Sequence, residues 1–194
     1  MTASGLESMD RRMAIGGALA GAAGLALPLR QSRTVTQRGI VGGGLVQFEQ
    51  GEASFSLFVS RLIFAKDEVV VLGSILWVDD THELTLRSTA ITDYIVPEAQ
   101  PEQGVLRQVI GAMGDDAGGE YPFELELIDV DLPGSGKDMV VLTVGNGART
   151  SENATPARDL GFSYTATGTL ATGDIQLIGI EVDPAAGVAR PAPN

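Results

Sequence analysis

From Ile40 onward apolar residues recur at every second position rather than at helical spacing. In Glu52–Ile63 the side chains of Ala53, Phe55, Leu57 and Val59 share one face, and Ser54, Ser56 and Ser60 share the other. Phe58 interrupts the polar face, which predicts cover on both sides of that strand. Val69–Leu72 and Ile75–Val78 form one β-branched run broken by Gly73, where a bulge or a close approach to a neighbouring backbone is expected. Asp79–His82 reads as a turn leading into a strand over Glu83–Ile91, whose apolar face runs through Leu84, Leu86, Ser88 and Ala90. Asp93–Gln103, with Pro97 and Pro101, predicts a loop, and Leu106–Ile110 a strand cut short by Gly111. Beyond the breaker cluster Gly114–Gly119, Phe123–Leu127 alternates with Glu124 and Glu126 towards solvent. Met139–Val144, Phe162–Leu170 and Asp174–Val182 complete the set, with Gly145–Asp159 as a long loop.

Helical amphipathicity cannot be drawn past Val35 without crossing glycine or proline, and the connections are too short for βαβ crossovers. The expected fold is all-β, an antiparallel β-barrel or β-sandwich of about eight to ten strands. One domain spans residues 34–183, behind an N-terminal segment 1–33 and ahead of a loose Pro/Ala tail, 184–194.

The first residues follow a different pattern. Arg11-Arg12 precede an apolar stretch from Met13 to Leu29, rich in Ala and Gly, with Arg30 and Arg33 after it. A positive region followed by a weakly hydrophobic one is the plan of an export signal. The adjacent arginines, preceded by Ser8-Met9-Asp10, resemble the twin-arginine class of bacterial signals. That resemblance implies an extracytoplasmic destination (secreted, periplasmic or cell-surface) and folding before export. The apolar run falls short of the roughly 20 residues that span a bilayer comfortably. Stable membrane insertion of the body is not expected, and an uncleaved N-terminal anchor stays open.

Composition narrows the chemistry. The chain has no cysteine, which excludes disulfides, thiolate nucleophiles and cysteine-held metals. Its formal net charge is −12, and after Arg33 nine basic groups face 23 acidic ones. Such a field repels phosphate backbones, so nucleic acid is not an expected partner.

The one histidine, His82, stands among Asp79, Asp80 and Glu83, and His82, Asp79 and Glu83 are the candidates for acid–base catalysis. A lone histidine rules out three-histidine metal sites, and no Gly-x-Ser-x-Gly elbow accompanies it. No cofactor is expected, though calcium, a taker of hard oxygen ligands, has Asp79, Asp80, Asp115, Asp116, Asp129 and Asp131 as candidate donors. Solvated loop acids are the plainer account of all six. Pro133–Asp138 lacks the full phosphate-loop pattern, because Asp138 stands where a hydroxyl should hold magnesium. Asn153-Ala154-Thr155 matches a glycosylation acceptor by chance-level spacing. Tyr94 and Tyr121 are the loop-adjacent aromatics suited to stack on a ligand, whereas Trp77 belongs in the core.

The layout over residues 40–183 resembles small secreted bacterial β-barrel or β-sandwich proteins, a likeness of plan that carries no catalytic residue across. It implies an exported binding or structural module first. A small barrel enzyme, cyclase, isomerase or carboxylate-based hydrolase, is the alternative, and a subunit of a secreted assembly or homo-oligomer is the third class.

Overall fold

The structure, a computed structural model, describes residues 35–64, 68–130, 137–151, 161–183 and 188–191. Arg11, Arg12 and the rest of the expected export segment, Asp131, and the Asn153 motif lie outside these residues. Nine strands follow one another: β1 (Val35–Phe48), β2 (Gly51–Ile63), β3 (Val69–Asp79), β4 (Leu84–Ile95), β5 (Val105–Asp115), β6 (Glu120–Asp129), β7 (Met139–Gly145), β8 (Ser163–Asp183) and β9 (Val188–Pro191). Each pairs antiparallel with the next, and β1 also pairs with β8, so the first eight close into a barrel. No helix occurs among the described residues, so none there is long and apolar enough to cross a membrane.

An eight-stranded barrel is about wide enough for side chains to fill it, and here they do. The alternation of β2 sends Ala53, Phe55, Leu57 and Val59 inward, as its sequence predicts. Trp77, Phe123, Leu125, Leu127, Leu142 and Ile175 meet them in one continuous core.

Four departures from the expected pattern are informative. The ladder between β4 and β5 slips between Ser88 and Ala90 and again between Ile91 and Asp93. Each slip inserts one residue and flips the inward parity. Ala90 therefore turns out to solvent, Ile91 turns in, and Tyr94 ends buried in a strand rather than displayed on a loop. Second, β5 runs straight through Gly111, whose bare Cα admits the Ala90 carbonyl and the Phe123 ring. Third, the expected strands over 162–170 and 174–182 are a single 21-residue strand, and the tail doubles back as β9. Fourth, Phe58 is uncovered, 40% exposed, whereas Glu124 and Glu126 are half-buried. Arg149 reaches back over β5 and β6, with its guanidinium 3.4 Å from both Glu124 and Gln108. Gln108 in turn donates to Glu126 at 2.6 Å.

Closure rests on glycine. Gly44 of β1 faces Gly173 of β8, next to a register shift between Leu45 and Val46. A Cβ on Gly44 would collide with the Thr172 carbonyl, and one on Gly173 with the Gly43 carbonyl. Gly173 also has φ of 102°, a region that favours glycine. The expected strand break at Gly173 is thus a kink within one strand.

Gly73 meets the same requirement on β3: there is no bulge, but the Phe58 carbonyl occupies the space of its missing Cβ.

The two ends of the barrel differ. One carries the tight turns β1–β2, β3–β4 and β5–β6. At the other, two ladders stop early. Strands β3 and β4 pair only from Asp79↔Leu84 to Leu76↔Arg87, after which Ile75 N–H turns to the Ser88 hydroxyl at 2.9 Å. Strands β7 and β8 pair only up to Met139↔Thr169. The carboxylate of Asp138 bridges the gap beyond, accepting from Val130 N–H at 3.1 Å and Ile175 N–H at 3.0 Å.

Replacing Gly173 by alanine should lower the unfolding free energy by about 2 kcal/mol or more, since the left-handed cost of about 1–2 kcal/mol adds to a backbone collision. Gly118→Ala, at a turn with φ of 86° and nothing within 4 Å, should cost only about 1 kcal/mol. Urea midpoints of the two variants, compared with the parent, test the difference.

Candidate functional site

At the turn end, Asp79 is the last residue of β3 and points into the barrel mouth, fully buried. Its carboxylate is the hub of a network. The Trp77 indole N–H donates to the Tyr164 hydroxyl at 3.0 Å, and that hydroxyl donates to Asp79 Oδ2 at 2.7 Å. His82 adds its backbone N–H to Oδ1 at 3.0 Å and its Nδ1 to Oδ2 at 2.8 Å. Burial alone would raise the Asp79 pKa, but the hydrogen bonds from Tyr164 and His82 outweigh it and hold the carboxyl below its ordinary range. Burial and the bond to Asp79 push the Tyr164 phenol well above its ordinary value, so it stays protonated.

The expected grouping of Asp79 with His82 is therefore real, and such a pair orients a general base in hydrolases. What surrounds it argues for a clamp. Tyr164, the hydroxyl in contact, is committed to Asp79, and among the described residues no side chain hydrogen-bonds His82 Nε2. Glu83 turns to solvent in left-handed backbone, φ 51°, and takes no part. The network ties the β3–β4 turn to β8 across the mouth.

The candidate calcium donors do not converge. Asp79 is engaged as described, and Asp80 is exposed. Asp115 caps the β5–β6 turn, accepting from Gly119 N–H at 2.6 Å and from the Tyr121 hydroxyl at 3.1 Å. Asp116 pairs with Arg87 at 2.6 Å. Asp129 lies at the opposite end, where burial and then Asp138 and Asp174 raise its pKa. Among the described residues no three of His, Asp or Glu form a ligand set. Tyr121 packs on Phe162 with ring centroids 4.3 Å apart, so one of its ring faces is taken up by that contact.

The site that sequence reasoning misses is at the other end. Beyond the early stop of the β3–β4 ladder lies a cleft of about 540 Å³, lined by Arg61, Val69, Val71, Thr92, Asp93, Tyr94, Ile95 and Val96. Behind it Arg38 and Arg61 stand directly opposite each other on β1 and β2. Arg107 of β5 is buried, donating to the Leu106 carbonyl at 2.8 Å. All three guanidinium groups act on the Tyr94 hydroxyl, which donates to the Gly39 carbonyl at 3.3 Å. Burial raises the Tyr94 pKa, and Arg107, Arg38 and Arg61 pull against that rise. Arg38 Nε and Asp93 Oδ2 are buried without a hydrogen-bond partner. The inward parity of Arg38 and Arg61 was available from their alternation with Ile40 and Val59. Tyr94 keeps the facing of Leu86, since the two bulges between them cancel, but its expected place on a loop hid it.

Asp79→Asn should destabilise the protein by about 2 kcal/mol at neutral pH, the scale of hydrogen bonds to a charged acceptor. Because the folded pKa is depressed, this contribution is complete above the unfolded value of about 3.9 and fades as pH falls through the folded one. Unfolding free energies of parent and variant should therefore converge in acid, and a difference independent of pH would remove the carboxylate from the account. No protein-family model matches the chain, and no curated protein or solved structure matches it either, so any function must be argued from the barrel itself.

Proposed function

We propose that this chain is an exported binding module, an acidic β-barrel that holds a small ligand in the cleft between β3 and β4. The observation that carries this is the interrupted ladder. Two neighbouring strands part after four residue pairs and leave a cleft walled by Val69, Val71, Ile95 and Val96, with Tyr94 and charged groups at its base. Clefts of a few hundred Å³ that combine an apolar wall with directed polar groups are the usual form of a small-molecule site. This one lies at the polar end of that range, with Arg61, Thr92, Asp93 and Tyr94 beside its four aliphatic residues. The cleft opens where β3 and β4 part, so a ligand would enter between these two strands. Export is supported by the Arg11-Arg12 pair and the apolar run behind it.

An uncharged naphthylamine fluorophore, whose emission rises in apolar surroundings, tests the cleft without favouring either charge. Saturable binding to the full chain is expected, with Val71→Trp abolishing it by filling the cleft; binding unaffected by that substitution would put the site elsewhere. For export, the intact mass of protein collected outside the cytoplasm of a producing bacterium should lack the N-terminal segment. Recovery only inside the cell with Met1 in place would count against the signal.

A second reading, as an assembly subunit, has its own support. On the outer face of β1–β3, Val41 lies opposite Phe58, and Leu72 and Val70 continue the apolar row; each is 36–41% exposed. A patch of this kind marks contact with a partner, here a second copy of the chain. Native mass spectrometry would show a dimer that Phe58→Asp dissociates, while fluorophore binding in the cleft persists.

A further inference from the structure

We infer that the cleft between β3 and β4 selects an amphipathic anion, a molecule with one carboxylate-like head and an apolar body; this rests on the cleft being the binding site. Nine basic residues remain in the chain after Arg33, against 23 acidic ones. Three of the nine, Arg38, Arg61 and Arg107, surround a single buried phenol. Arginines that serve structure are paired, as Arg87 is with Asp116 and Arg149 with Glu124. Arg38 and Arg61 are different. Among the described residues neither has a carboxylate within ion-pair distance, and Arg38 Nε has no hydrogen-bond partner.

Their placement works against folding. Like charges directly opposite on neighbouring strands repel, and these two also face inward, where a guanidinium loses water. A carboxylate head from a ligand would supply the missing acceptor, and guanidinium is the group best shaped to grip it. Arg107 is already balanced in part by Asp129, on which it acts electrostatically. The lining itself holds one cation, Arg61, and one acid, Asp93, and Arg38, directly opposite Arg61 on β1, adds a second positive charge behind it. Val69, Val71, Ile95 and Val96 offer the wall for the apolar body. The net charge of −12 does not forbid this, because at physiological ionic strength it is screened beyond about 8 Å, whereas the guanidinium groups act at contact.

The test compares decanoate with decanol, equal chains with and without the charge, by calorimetry on the full-length protein. Decanoate should bind roughly tenfold more tightly or better, the scale of a charge-assisted hydrogen bond. Arg61→Met should erase that preference while leaving decanol binding intact, Arg61→Lys should keep part of it, and Asp93→Asn should strengthen it. Near-ultraviolet circular dichroism on each variant establishes that the barrel is still folded. Equal affinity for acid and alcohol overturns the anion inference and leaves the cleft as an apolar site. An acid preference that survives Arg61→Met in a folded protein also overturns it. Failure of both ligands and of the uncharged fluorophore removes the cleft reading itself, and this inference with it.

Discussion

In an eight-stranded barrel the last strand must meet the first, and here they meet where Gly44 faces Gly173, with no space for a Cβ on either. That approach draws β1 and β8 into a ladder from Val35↔Val182 to Phe48↔Gly168, with one register shift, between Leu45 and Val46 near its Phe48 end. A closed sheet has no long free edges to cover. It also sets the diameter, and an interior of that width is filled by one layer of inward side chains from each strand. Trp77, Phe123 and the aliphatic residues around them occupy it fully.

Because the interior is filled, chemistry is confined to the two ends, and the ends have opposite characters. The turn end is satisfied internally. Asp79 collects hydrogen bonds from Tyr164 and His82, and Asp115 closes its turn through Gly119 and Tyr121. At the far end two ladders stop short, and side chains take over from backbone: Asp138 bridges one gap, while the other opens as the cleft beside Arg61 and Tyr94. Among the described residues, the buried charged groups with an atom lacking a hydrogen-bond partner, Arg38 and Asp93, lie at this second end. That asymmetry, more than the presence of any one residue, separates the clamp from the cleft.

The outer surface adds a third element. Val41, Phe58, Leu72 and Val70 lie on β1–β3, the same strands whose inner faces carry Arg38, Arg61 and the valines of the cleft. The apolar patch outside and the cleft inside are thus the two sides of one sheet segment and share the same strands.

The sequence by itself determined the all-β class, the inward alternation of β2 and β6, the burial of Trp77 and the pairing of Asp79 with His82. All of these depend on neighbours within a strand or one turn, where spacing fixes which side a residue faces. Closure was not decided there, because a strand pattern reads the same in a sandwich; it took the β1–β8 ladder. The unbroken course of β5 through Gly111 and of β8 through Gly173 was likewise tertiary. A glycine that ends one strand and a glycine that lets another backbone approach look alike in sequence. Tyr94 is the sharpest case. The two bulges in β4 cancel, so its inward facing matches that of Leu86, but its place in a strand and the guanidinium groups brought beside it from β1, β2 and β5 come only with the folded barrel.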